Sequence, residues 1–219
     1  MTDYLPDATR RFVELAGPRA DPVQRAMEVH ADEASFPIIG PSVGGLLRAL
    51  ATLGRAERVF EFGSGFGYSA SWFARGMDDD GEVVPTEVAA DELALAEDHL
   101  EGAGYAPAFV YEHGDALEVV ERYDGPFDLV LVDHQKHRYV EGFERARDKV
   151  APGGVVIADN MMRGPFAFDD VLAGLEGEPT PDGSTAGVVD YLERLRTDPD
   201  FTAVVLPVGS GLSLAVRRR

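Results

Sequence analysis

Short apolar runs alternate with longer amphipathic stretches from Arg58 onward, whereas the chain before that point reads as helices alone. Thr9 to Leu15, Pro22 to Ala34 and Val43 to Leu53 repeat apolar residues at helical spacing, with proline and glycine punctuation between them. Strands are then predicted over Val59 to Phe62, Val83 to Glu87, Ala108 to Glu112, Phe127 to Asp133 and Val155 to Asp159. Helices are predicted between them over Tyr68 to Arg75, Asp91 to Ala103, Leu117 to Arg122 and Tyr139 to Val150. Apolar strands alternating with helices imply right-handed crossovers and a parallel sheet covered on both faces. Residues 163–183, rich in glycine, proline and aspartate, read as an irregular insertion of the kind that shapes a pocket. A helix over Ala186 to Arg196 follows. Ala203 to Val208 and Leu212 to Val216 then form a hairpin about Gly209-Ser210-Gly211, which sets one strand antiparallel. The expected fold is α/β: a doubly wound, mostly parallel, seven-stranded sheet with one antiparallel strand. It is read as one domain over residues 1–219, with a helical N-terminal extension (1–57) and a sheet-bearing core (58–219).

Charge narrows the partners. The chain carries 39 acidic against 20 basic residues, a formal charge of -19, which argues against a phosphate-binding face and disfavours nucleic acid. So acidic a composition also fits a protein that works in concentrated salt, where screening removes self-repulsion. This halophilic reading fails if the protein folds and works fully in low salt without added metal or cofactor. With no cysteine, neither disulfides nor thiolate metal sites are available. Met1 to Arg11 has no apolar leader segment, and no run approaches the ~18 apolar residues of a membrane span, so a soluble cytoplasmic protein is expected.

Candidate chemistry clusters where strands end. Glu61-Phe62-Gly63-Ser64-Gly65-Phe66-Gly67-Tyr68-Ser69 joins the first strand to a helix, where glycines let a cofactor approach the backbone. A tight turn is the bland alternative. Tyr68 stands where a dinucleotide fingerprint has its third glycine, which counts against NAD. Glu87 ends the second strand, where an acid accepts hydrogen bonds from ribose hydroxyls, and His113-Gly114-Asp115-Ala116 follows the third, within reach of an adenine ring. A surface acid and a simple turn are their alternatives. Asp133-His134-Gln135-Lys136 and Asp159-Asn160 follow two buried strands and supply three hard oxygen donors, Asp133, Asp159 and Asn160, for one divalent cation. Asp159-Asn160 can equally cap the next segment. Lys136 and Lys149 are the only lysines, so a deprotonatable amine stands beside the candidate metal site in a chain that otherwise uses arginine. The five histidines have no metal-binding spacing.

Taken together, these blocks resemble the metal-dependent class I O-methyltransferases, which include the catechol and caffeoyl-CoA enzymes. Glu61 to Ser69 resembles the family's E-x-G-x-x-x-G-Y-S block and Phe127 to Tyr139 its F-D-x-V-x-x-D-x-x-K-x-x-Y block. Gly153-Gly154 with Asp159-Asn160 resembles G-G-x-x-x-x-D-N, and Leu206 to Gly209 with Gly211-Leu212 its closing hairpin. The resemblance runs from about Ile39 to Val216. It implies a Rossmann-like methyltransferase fold and S-adenosylmethionine as cofactor. Glu61, Gly63, Ser64 and Ser69 would then lie at the methionine end, Glu87 on the ribose, and Asp115, Ala116 and His134 around the adenine, with Gly65 and Asp133 also among the cofactor-binding residues. It further implies Mg²⁺ or a similar cation on Asp133, Asp159 and Asn160, Lys136 as the base, a hydroxylated aromatic small molecule as acceptor, and a homodimer with the N-terminal helices as contributors. Gln135 stands where the catechol enzymes have tryptophan, and Val204 about where they have a substrate-contacting glutamate; the Leu206-Pro207 hairpin is closer to the caffeoyl-CoA branch. Two rival functions stay open: methylation of a hydroxylated tRNA base on the same fold, and a catalytically silent nucleotide-binding module. Arg163, just beyond Asn160, is a candidate for selecting an anionic acceptor.

Overall fold

A computed structural model describes residues 5–219; residues 1–4, the start of the Met1 to Arg11 stretch read above, lie outside the described residues. Three helices come first, α1 (Asp7–Ala16), α2 (Pro22–Ala34) and α3 (Gly40–Gly54). At the head of α2, Asp21 and Gln24 satisfy each other's backbone N–H groups in a capping box, with Pro22 in the first turn. The alternating part follows as β1 (Arg58–Phe62), α4 (Tyr68–Ala74), β2 (Glu82–Glu87), α5 (Ala90–Leu100), β3 (Ala108–Phe109), β4 (Glu112–His113), α6 (Ala116–Val119), β5 (Phe127–Val132), α7 (Tyr139–Ala146) and β6 (Val150–Ala158). Last come α8 (Phe168–Leu175), α9 (Gly183–Thr197), β7 (Phe201–Leu206) and β8 (Leu212–Arg217).

The sheet runs β3-β2-β1-β5-β6-β8-β7, with β4 also paired to β2. Its eight segments fill seven positions, because β3 and β4 share the place beside β2. Every pair through β6 is parallel, and β8 runs antiparallel to both β6 and β7, so it is the one reversed strand. The strand expected over Ala108 to Glu112 is thus broken, and Pro85 gives the reason. The carbonyls of Val83 and Glu87 face this strand and accept from Val110 and Gly114. Strand alternation turns Pro85 the same way, and proline has no N–H to donate, so the ladder lapses between Phe109 and Glu112. The insertion at 163–183 is not irregular throughout. It contains α8, whose Phe168, Val171, Leu172 and Leu175 repeat at helical spacing with Val171 buried.

Alternate residues of the central strands enter opposite cores. Val130, Val132, Val156 and Ala158 pack with Phe143 of α7 and Tyr191 of α9, whereas Leu129, Leu131, Val155 and Ile157 pack with Met27 of α2, Leu47 of α3 and Trp72 of α4. Strands buried on both faces are mostly apolar along their length, so polar groups gather at their ends. Strand order reverses between β1 and β5, which opens a crevice at their carboxyl ends. The β7–β8 hairpin braces that edge: Met161 donates to Gly211 O at 2.9 Å and Arg163 to Ser210 O at 3.0 Å. Among the described residues no helix is long and apolar enough to cross a membrane.

Candidate active site

The loop after β1 is shaped by backbone bonds to β2. Gly63 and Ser64 both donate to Thr86 O, and Gly65 donates to Glu87 Oε2 at 3.0 Å. Glu87 Oε1 accepts from the N–H groups of Val88 (2.8 Å) and Ala89 (3.0 Å), so this acid is held rigid where β2 ends. Gly63 has φ +82°, and a Cβ there would stand 2.9 Å from Asp133 O, so only glycine lets the first loop pass the end of β5.

A cleft of ≈ 590 Å³ lies over this crevice. Gly63, Ser64, Gly65, Ser69, Glu87, Asp115, Ala116, Asp133, His134, Lys136, Asp159 and Asn160 all line it, so twelve residues read from the sequence converge on one space. Glu61 does not. It is fully buried in β1, beneath the wall that Ser69 forms, and burial raises its carboxyl from 4.5 to about 8, opposed by the Ser69 hydroxyl and reinforced by Asp133. A carboxyl whose folded pKa lies above its unfolded one costs stability as pH climbs between the two values. The contribution of Glu61 to stability therefore becomes less favourable between pH 4.5 and about 8, and Glu61→Gln removes that contribution. In melting curves at pH 5 and pH 8, the difference in Tm shifts in favour of the variant at the higher pH.

At the adenine-side end predicted from sequence, Asp115 caps α6 through Leu117 N (3.0 Å) and pairs with Arg138 at 2.7 Å. Burial pushes its carboxyl up, but Arg138 and the Leu117 N–H outweigh this and hold it below the ordinary value. The His134 ring packs between Phe62 and Tyr139, 5.5 Å from each, and burial lowers its pKa to about 4, so it is neutral at physiological pH. Phe36, Pro37, Ile38 and Ile39, between α2 and α3, form an apolar wall that sequence reasoning missed.

The other end is a knot of charge. Lys136 Nζ lies 2.8 Å from Asp133 Oδ1, 2.6 Å from the Tyr139 hydroxyl and 3.3 Å from His134 O. Tyr139 was quoted in the sequence motif but given no role; the Lys-x-x-Tyr spacing was the available signal. Burial, then Asp133 and Asp159, push its phenol well above the ordinary value, so it stays protonated. Asp159 is 3% exposed, and its Oδ1 is buried without a hydrogen-bond partner. Burial, then Asp133, raise its carboxyl to about 7. Asp133 is likewise pushed up by burial, opposed by Lys136. Asn160 adopts φ +62°, a left-handed conformation that asparagine tolerates better than most residues. Its amide nitrogen donates to Arg163 O at 3.0 Å, which leaves the carboxamide oxygen for another partner. The Arg163 side chain is exposed and does not line the cleft; its carbonyl does the bracing.

Among the described residues no three histidine, cysteine, aspartate or glutamate side chains group closely enough to hold a metal ion. The candidate set here is two carboxylates and a carboxamide. One lysine offsets one of two neighbouring carboxylates, and the orphaned Asp159 oxygen calls for a further positive group. This donor set fits a hard divalent cation.

Comparison with known proteins identifies the family and the fold. The family model described as O-methyltransferase matches residues 20–218. A catechol O-methyltransferase of Niastella koreensis is 32% identical over 144 residues, 63% of this chain and 65% of that protein. The structure of TomG from Streptomyces achromogenes, an O-methyltransferase involved in tomaymycin synthesis and bound to SAM, superposes with a TM-score of 0.82 at 30% identity, covering 98% of this chain and 100% of the other. An O-methyltransferase from Bacillus cereus in complex with SAH gives 0.84 at 26% identity, covering 96% and 97%. The chain thus has a Rossmann-like methyltransferase fold, and it is a member of the O-methyltransferase family and an O-methyltransferase.

Proposed function

We propose that the protein is a divalent-cation-dependent enzyme that moves the methyl group of S-adenosylmethionine to a hydroxyl of a catechol-like small molecule. The observation that carries this reading is the meeting, in one cleft, of the Lys136–Asp133 pair with the unpartnered buried oxygen of Asp159. In this reading Gly63, Ser64, Gly65 and Ser69 face the methionine end of the cofactor, with Glu61 acting from beneath Ser69. Glu87 receives the ribose hydroxyls, and Asp115, Ala116 and the neutral His134 frame the adenine. Asp133, Asp159 and the Asn160 carboxamide would hold Mg²⁺ or a similar ion, which when bound supplies a Lewis acid to adjacent acceptor oxygens. Lys136 takes the hydroxyl proton as the oxygen–methyl bond forms and the sulfur–methyl bond breaks; the protein otherwise positions the two reactants. Residues 58–219 would form the catalytic core of one domain, with 1–57 as its helical extension. Dimerisation is proposed as well, supported by Phe12 and Leu15 of α1, which are 70% and 76% exposed on a helix with no buried residue.

The test is transfer of labelled methyl to vicinal diphenols, monophenols and bulk tRNA, with and without chelator. Methylation of the diphenols that chelator abolishes and Mg²⁺ restores is expected. Chelator-insensitive transfer, or equal use of monophenols, overturns the cation assignment, and preferred methylation of tRNA overturns the acceptor class. Glu87→Ala should weaken binding of S-adenosylhomocysteine by roughly 10–100-fold, since a charged hydrogen-bonding acceptor is lost. Calorimetry reads this directly, and the KM for the acceptor should stay put.

A further inference from the structure

The Tyr139 hydroxyl is buried at the heart of the charge knot and faces no solvent. Its ring is fully buried, fixed edge-on against Tyr191 at 5.6 Å and tilted against His134 at 5.5 Å. Three polar atoms surround the oxygen: Lys136 Nζ at 2.6 Å, Asp159 O at 3.2 Å and Asp133 Oδ1 at 3.3 Å. A phenol offers one proton and two lone pairs. The two aspartate oxygens are acceptors only, so the proton points at them and a lone pair receives the lysine N–H. The tyrosine therefore ties the amine to the ends of both β5 and β6.

Lysine needs such a tie. Its arm has four rotatable bonds, and holding it in one geometry gives up the rotamer freedom of the whole side chain. The ammonium here places its three N–H groups on Asp133, Tyr139 and, more distantly, His134 O. The contact to His134 O is the longest of the three, so Asp133 and Tyr139 are the two close anchors of the amine. Asp133 is shared with the candidate cation, which leaves Tyr139 as the anchor dedicated to the amine.

We propose that Tyr139 is a positioning residue for Lys136, holding its amine at the acceptor oxygen; this rests on Lys136 being the base. The test compares wild type, Tyr139→Phe, Lys136→Met and the double variant, reading kcat, KM, S-adenosylhomocysteine binding and the mobility of lysine Cε. With only two lysines in the chain, [¹³Cε]lysine labelling gives two signals, and Lys136→Met identifies the relevant one. In Tyr139→Phe, kcat should fall about 10–100-fold, the penalty of a misplaced reacting group, with KM and cofactor binding near wild type. The Lys136 Cε should be rigid in wild type and mobile in Tyr139→Phe, and adding Tyr139→Phe to Lys136→Met should cost nothing further. The proposal is overturned by unchanged kcat in Tyr139→Phe, by equal losses in both backgrounds, or by unchanged lysine mobility. A wild-type Lys136 signal as mobile as a free side chain overturns it even if Tyr139→Phe does not fold. Normal turnover in Lys136→Met would instead remove the base assignment on which it rests.

Discussion

Lys136→Met should retain cofactor binding while kcat falls by about 10²–10⁴-fold, the usual worth of a positioned general base. Methionine keeps the length and apolar stem of lysine and removes only the amine. The acceptor hydroxyl then loses the amine positioned to take its proton, and Asp133 loses the ion pair at 2.8 Å that offsets its charge. Lys136→Arg should not restore turnover, because a guanidinium does not give up its proton at physiological pH. A lysine engaged only in structure would instead tolerate arginine, which can renew the bond to Asp133. Single-turnover rates with S-adenosylhomocysteine calorimetry separate these outcomes, and near-normal turnover in Lys136→Met ends the base assignment.

Gly187→Ala should produce the second large effect, although this residue does not line the cleft. It lies inside α9, where an added Cβ would collide with the carbonyl of Lys136 and stand 2.6 Å from His137 Cα. Those neighbours are backbone and cannot rotate away, so either α9 or the turn that carries Lys136 must move. The turn is also held through Tyr139, packed on Tyr191 of the same helix. Overpacking of this kind costs about 1–3 kcal/mol of stability. A displacement of about 1 Å at the amine is enough for a 10²-fold fall in kcat. Gly54→Ala is the control: nothing lies within 4 Å of a Cβ at that helical position, so alanine should be neutral or stabilising by up to about 1 kcal/mol. Equal Tm and kcat in Gly187→Ala and wild type would show that the helix does not hold the turn of Lys136.

How far the chain could be read before its structure varies by element. Phe127 to Val132 and Val155 to Ala158 are apolar at nearly every position, and only a central parallel strand buries both faces of such short runs, so their ends marked the crevice correctly. The third strand was harder, because its break comes from Pro85, a residue of the neighbouring strand. α8 escaped notice since its eight residues sit among glycines, prolines and aspartates that read as loop. Glu61 was legible as part of the glycine-loop block but not as a buried acid that lines no cleft, because burial depends on α4 closing over it.

The chain by itself determined the order of strands and helices, the glycine loop, and which acids, amide and lysine stand at strand ends. These follow from period, turn chemistry and residue type, all local in sequence. Only the tertiary structure decided that Tyr139 grips Lys136, that Asp159 keeps an unpartnered oxygen, that Phe36 to Ile39 wall the cleft, and that Gly187 admits α9 against the turn of Lys136. Each joins residues from separate elements, and such contacts exist only once sheet order and helix packing bring those elements within a few ångströms.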